Sequence, residues 1–288
     1  MFVVDFREQT EWKWLIATAF FLGELGAGVF LVSMLVGYAP GMLLGLLLVL
    51  VGKNSAHLLY LGRPERFWRA VSHPATSWIS RGFVAMIVLA VSGALVLLFS
   101  LGWLPIAGDG TIGQTVKIVA GLSALIVMIY DGFVLSNSPS IALWSTAILP
   151  VLFGTYALMG GTTLTLLLTR AGIAQSTGGA DVMEAVAIVL ILANLAMLAV
   201  YLLTSLYSSV AARYAVHRLV TAYSLAFFGG VIAVGLILTL VLSLYFATTQ
   251  VMYLLYGAAA AELVGDFLVI LLVLRAGVFA PLMPKTEY

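Results

Sequence analysis

Uninterrupted apolar stretches constrain this chain more than any other feature. Residues 82–101 and 185–203 approach or exceed the ~18-residue run at which a helix can cross a bilayer. A water-soluble domain carries roughly a quarter charged residues. Here 9% are charged and 63% hydrophobic, so a soluble globule is excluded and lipid is the solvent for most of the molecule. Apolar runs divided by Gly, Pro or charge clusters mark about eight helices, near 12–37, 40–60, 78–101, 112–135, 141–168, 182–208, 219–246 and 252–275. Each is long enough for ~30 Å of hydrocarbon. A β-barrel is excluded because the runs do not alternate and are about twice the ~10-residue length of a spanning strand. The expected fold class is an all-α polytopic membrane protein, with every backbone polar group satisfied inside helices.

The first eleven residues, MFVVDFREQTE, are polar and charged and lead into no short apolar core with a small-residue cleavage site. No removable signal peptide is expected, and Trp12 opens a span that stays. A formal charge of +1 gives no reason to expect nucleic acid as a partner. The chain has no cysteine, hence no disulfide, no thiolate-held iron–sulfur cluster and no covalent haem site. Haem b needs two axial ligands at matching depth, whereas of the 3 histidines His73 and His217 fall in loops. Any redox metal is therefore expected on a partner or held by other side chains.

An even number of spans puts both termini on one face, with the loops 61–77, 136–140 and 209–218. Of the 13 Lys and Arg, that face holds Arg7, Lys13, Lys53, Arg63, Arg66, Arg69, Arg81, Arg213, Arg218, Arg275 and Lys285, leaving Lys117 and Arg170 for the other. The positive-inside rule then makes the terminal face cytoplasmic. Arg63, Arg66, Arg69 and Arg81 crowd one loop, where they serve docking as readily as topology. A weak internal similarity divides the chain into 12–136 and 141–276. Gly26-Ala27-Gly28 follows Phe21 and Gly23 in span 1, and Gly160-Gly161 follows Phe153 and Gly154 in span 5. YDGFVL (130–135) and RAGVFA (275–280) close spans 4 and 8. A duplication of four-span halves would be parallel, and chance coincidence among 28 glycines is its rival.

Charge at mid-membrane depth costs at least ~2.5–3.5 kcal/mol per residue, so the acids within spans are candidates for function. Glu24 lies about 18 Å along span 1, near the midplane, among small residues. It reads either as one hydrogen-bonded acid in a packing seam or as a protonatable group on a proton path. Glu262 and Asp266 stand one turn apart in span 8, where both cannot ionise comfortably. Arg275 is too far along the helix to neutralise them, and the remaining bland reading is a Lys or Arg from a neighbouring span. Span 2 ends with Lys53, Asn54 and His57, which share roughly one helical face near the basic side. Tyr130 and Asp131, side by side near the end of span 4, offer a phenol and a carboxylate that can hydrogen-bond a quinone oxygen; Tyr alone would be an ordinary interfacial anchor. Asn194, Asp181, Glu184 and Lys117 lie deeper or toward the far face and extend the same hypothetical path.

The stretch from His57 through Leu61-Gly62-Arg63-Pro64-Glu65-Arg66-Phe67-Trp68-Arg69, then His73-Pro74 and Ser77-Trp78-Ile79-Ser80-Arg81-Gly82, resembles the LGRPxRFW…HP…SWxS signature of the NrfD/PsrC family. These are membrane subunits of polysulfide-reductase-type complexes. FLGELGAGVFL (21–31) resembles the family's Gly-rich first span, Tyr130-Asp131-Gly132 its Tyr-Thr-Gly, and WSTAILPVLFGTYALMGG (144–161) its fifth span. The resemblance implies two four-helix bundles and a site that exchanges electrons between menaquinone or ubiquinone and a docked four-cluster ferredoxin-like iron–sulfur subunit. That subunit would serve a catalytic subunit, often of molybdopterin type. It implies Tyr130 as hydrogen-bond partner to a quinone oxygen, with His57 serving the second oxygen and Lys53, Asn54 and Asp131 beside them. Arg63, Arg66, Trp68, Arg69 and Arg81 would form the docking face, and Glu24, Glu262 and Asp266 a proton path. The chain departs from the family pattern at Asp131, where Thr is usual, and at Glu24, where the residue is commonly small. Family analogy also puts the terminal face outside the cytoplasm, against the charge count. A proton-coupled carrier, with Pro150 and Gly154 breaking span 5, and a plain membrane anchor without a quinone site are the alternatives.

Overall fold

A computed structural model describes residues 6–104, 108, 110–173 and 179–280. Among the described residues, eight helices are long and apolar enough to cross a membrane: Trp14–Leu35, Ala39–Tyr60, Trp78–Ser100, Thr111–Ser136, Ile148–Arg170, Ala180–Ser208, Leu225–Thr249 and Met252–Ala276. They are numbered spans 1 to 8 in chain order, and the chain is an all-α polytopic membrane protein. Lys285 lies outside the described residues.

Two spans begin later than their apolar sequence suggests. Span 5 starts at Ile148 rather than at 141, because Pro150 falls in its first turn, where the missing N–H is not needed. Residues 141–147 form turns instead, with Ile141, Leu143 and Trp144 buried. There the Trp144 indole donates to the Val273 carbonyl at 2.8 Å and the Tyr201 hydroxyl to the Leu143 carbonyl at 2.9 Å. Pro150 and Gly154 consequently do not break span 5, which removes the discontinuous helix expected of a carrier. Span 7 starts at Leu225 because Val210–Val220 is a separate helix, capped by Ser209, whose hydroxyl accepts from the Ala212 amide. Its Ala211, Ala212, Ala215, Val216 and Leu219 are buried, at the spacing of an amphipathic helix.

Spans 2 and 7 each contain a π-helical stretch, at Leu48–Lys53 and Leu225–Leu238, a wide-turn geometry concentrated at functional sites. The first ends on Lys53 and hands over to an α-helix that carries Asn54 and His57.

Before span 1, strand β1 (Arg7–Glu8) pairs antiparallel with β2 (Val278–Phe279) after span 8. The segments before span 1 and after span 8 therefore meet on one face. Arg218 fastens this clasp, with its guanidinium 2.7 Å from Glu8 Oε2.

Span 1 runs through the middle of the molecule and packs on spans 2, 4, 5 and 8. In lipid, apolar side chains gain little by meeting one another, so close approach depends on small residues. At the crossing of spans 1 and 5 a Cβ on Gly28 would stand 1.9 Å from the Ala157 carbonyl oxygen, and one on Gly161 would stand 2.3 Å from the Gly28 carbonyl carbon. One buried apolar cluster gathers mostly residues of spans 1–4 and another mostly residues of spans 5–8, so this crossing sits between them.

Candidate functional site

A cavity of about 550 Å³ opens near the terminal face among spans 1, 2, 3, 4 and the 61–77 loop. This is within the ~300–1,000 Å³ of small-molecule sites. Its walls are mainly apolar: Ile16 and Phe20 from span 1, Leu58 from span 2, Phe83 and Met86 from span 3, Val134 from span 4. Polar groups are few and come from three directions. Asn54 and His57 line it from span 2, Tyr130 and Asp131 from span 4, and Arg63 and Arg66 stand on the loop side.

The signature segments are the parts that build this cavity. Pro64 opens a short 3-10 helix, Pro64–Val71, with no buried residue. Ser77 caps span 3 by accepting from the Ser80 amide, and the Ser80 hydroxyl accepts from the His73 amide at 3.3 Å. Arg81 donates to the Pro74 and Ala75 carbonyls at 2.9 and 2.7 Å and lies over the Trp78 ring. Arg81, expected on a docking surface, thus also staples the loop to span 3 while staying partly exposed. Trp78 stacks on Phe133 of span 4 at 4.1 Å. One turn deeper, Gly82 leaves space for the Tyr130 ring, since a Cβ there would be 2.1 Å from Tyr130 Cδ2. Gly132 does the same for backbone, where a Cβ would be 2.4 Å from Pro150 Cα. The Tyr-Asp-Gly and Leu-Pro segments therefore meet each other.

The site residues expected from sequence are brought together, with one displacement. His57 is half-buried, its ring edge-on to Phe20 at 6.2 Å. The Asn54 amide donates back to the Leu50 carbonyl at 2.9 Å, within the π-helical stretch. Lys53 does not line the cavity: it is fully buried behind the wall, its ammonium 2.6 Å from Asp131 Oδ2 and 4.7 Å from the centre of the Tyr130 ring. A side chain expected to touch ligand thus holds Asp131 instead. The pairing is physically required, because a buried carboxylate at this depth needs a cation or a proton.

Further buried acids lie behind this pair. Glu24, buried at the middle of span 1, lies within electrostatic reach of Lys53 and Asp131 on one side and of Asp266 on the other. Asp266 and Glu262 face span 5 at Gly160, where a Cβ would be 3.2 Å from Asp266 Oδ2 and 3.9 Å from Glu262 Oε1. Glu262 accepts a hydrogen bond from Thr163 at 2.8 Å, so no Lys or Arg satisfies the span 8 pair by contact among the described residues. Tyr156 of span 5 is a member that sequence reasoning missed. Its buried hydroxyl has no hydrogen-bond partner among the described residues and interacts electrostatically with Asp266 and Glu262. Nothing in its sequence setting distinguishes it from an apolar aromatic. Asn194 stands apart, bonded to Thr155 at 2.7 Å and so committed to the packing of spans 5 and 6. At the far face Arg170 pairs with Asp181 and Glu184.

Eight spans, with an apolar, polar-tipped cavity among the first four, define an integral membrane protein with a candidate site near one face. The family model described as polysulphide reductase, NrfD, matches residues 3–281, and the chain belongs to that family. Over 62 residues it is 47% identical to a sulfite dehydrogenase subunit from Allochromatium vinosum, a match that spans 22% of this chain and 18% of that protein.

Proposed function

We propose that this chain is the quinone-reactive membrane subunit of a respiratory oxidoreductase complex, exchanging electrons between menaquinone or ubiquinone and an iron–sulfur protein docked on the terminal face. The observation that carries this reading is the cavity itself. An apolar chamber that places a phenol, an imidazole, an amide and a carboxylate around one volume suits a flat ring with two opposed oxygens. Tyr130 and His57 are read as partners to the two oxygens, His57 also giving or taking a proton. Asn54 and Asp131 flank them, and Glu24, Asp266 and Glu262 continue inward as a proton path. Spans 1–4 and 5–8 are read as two four-helix bundles, a division supported by the Gly28–Gly161 crossing between the two apolar clusters.

Gly82→Val tests the cavity directly. Its branched side chain overlaps the Tyr130 ring, so affinity for a hydroxyquinoline-type quinone analogue is expected to fall at least ~10-fold, the loss of about 1.4 kcal/mol, while the protein still accumulates in membranes. Titration of the purified complex measures this, and unchanged affinity would place the ligand elsewhere.

Docking is read onto the loop. Arg63, Arg66, Trp68 and Arg69 are all exposed, with Arg69 over the Trp68 ring at 5.6 Å, so this basic, aromatic surface suits an acidic partner. By the charge count the loop is cytoplasmic. An isolated iron–sulfur partner is then expected to bind inverted vesicles rather than intact spheroplasts, and Arg63→Glu with Arg69→Glu to abolish the binding. Binding to spheroplasts alone would reverse the orientation.

A further inference from the structure

Lys53 has more around it than an anchor for Asp131 requires. Its ammonium also reaches the Ala19 carbonyl at 3.4 Å and lies 5.3 Å from the centre of the Phe20 ring. Its stem runs against the bare backbone of span 1, where a Cβ on Gly23 would be 2.5 Å from Lys53 Cδ and 2.7 Å from Nζ. The next residue along that backbone is Glu24. One oxygen of Glu24 and one of Asp131 are buried without a hydrogen-bond partner, so each carboxylate has an acceptor to spare. The ionisable and phenolic groups turned toward this region are Glu24 from span 1, Lys53 and His57 from span 2, Tyr130 and Asp131 from span 4, Tyr156 from span 5, and Asp266 with Glu262 from span 8. Lys53 is the only ammonium or guanidinium among them, and one buried cation neutralises one carboxylate at a time.

We propose that Lys53 is a proton gate between the cavity and the interior acids, working by exchange of its ion pair between Asp131 and Glu24. The inference rests on the quinone reading above. Quinol oxidation passes two electrons to the iron–sulfur partner, which is reduced, and frees two protons. One of them binds the Asp131 carboxylate and releases the ammonium, which stays protonated and turns along the Gly23 groove to Glu24; the second follows in a repeat of the same steps. Asp266 passes its own proton onward along the path and takes that of Glu24 as the new pair forms. The proton on Asp131 then moves to Glu24 and the ammonium returns, so one proton has passed from cavity to interior with no net change in the charge of the three groups. Quinone reduction runs the same steps backwards. Lys53 is thus a positioning residue that touches no quinone atom.

The test uses the complete complex in liposomes, with three readouts: quinone-analogue affinity, electron transfer from quinol, and charge moved across the membrane per electron pair. Lys53→Met removes the cation. Gly23→Ala keeps every charge but fills the groove, and it carries the test if the first variant fails to assemble. Each is expected to bind the analogue within twofold of wild type, to lose at least tenfold in quinol turnover, and to move less than half the wild-type charge per electron pair. An assembled Gly23→Ala complex with wild-type turnover and wild-type charge movement overturns the gate, as does an assembled Lys53→Met complex with both intact. If the wild-type complex neither binds the analogue nor is inhibited by it, the quinone reading fails as well, and the two failures are told apart by that control.

Discussion

Gly28→Ala is expected to leave little assembled protein in the membrane. The added methyl has no free space: its carbon would lie 1.9 Å from the Ala157 carbonyl oxygen, a backbone atom that cannot rotate away. Spans 1 and 5 must separate, and span 1 also packs on spans 2, 4 and 8, so the displacement spreads through the centre of the molecule. Overpacking a rigid contact costs ~1–3 kcal/mol and sometimes more. Association of helices in lipid has no hydrophobic driving force to offset that loss. Membrane abundance and the unfolding temperature of the detergent-solubilised protein should both drop clearly. Gly62→Ala is the control: a Cβ there meets nothing within 4 Å, and both quantities should match wild type. Wild-type behaviour of Gly28→Ala would mean that spans 1 and 5 do not cross so closely.

Tyr130→Phe and His57→Ala should cut quinol turnover by about 10²-fold each. Loss of one hydrogen-bond donor aimed at developing charge in a water-poor site costs roughly that factor. Loss of a positioned proton acceptor costs ~10²–10⁴. Both side chains line the cavity, and Phe retains the ring that Gly82 and Lys53 pack against, so the spans should stay in place. Turnover by the complex, normalised to the amount that assembles, separates chemistry from folding. If both variants turn over at the wild-type rate, these residues do not handle the quinone.

The spans are legible in the sequence because apolar runs of this length have few other uses. Where the fold departs from the sequence pattern, the cause is tertiary. Leu143 and Trp144 read as the first turn of a helix by hydropathy, yet they are held in a buried turn by Tyr201 and Val273, which no local period reveals. The π-helical stretches are invisible because Leu225–Leu238 is apolar on all sides and shows no face whose period can be measured. At the site, Glu24, Asp131, Glu262 and Asp266 stand out because lipid makes charge expensive. Their partners do not. Lys53 and Asp131 meet across 78 positions of sequence, and Arg81 reads as a surface cation because its acceptors are carbonyls, which any residue supplies. The glycines that make the site feasible, Gly23 and Gly82, become interpretable only when the side chain lying across each is known.

The most direct measurement is photolabelling of the purified complex with a light-activated quinone, followed by mapping of the modified peptides. Labels are expected on span 2 near His57, span 3 near Phe83 and span 4 near Tyr130, all suppressed by excess unlabelled quinone. Competed labelling confined to spans 6 to 8, or labelling of spans 2 to 4 that excess quinone leaves unchanged, would contradict a quinone site in this cavity.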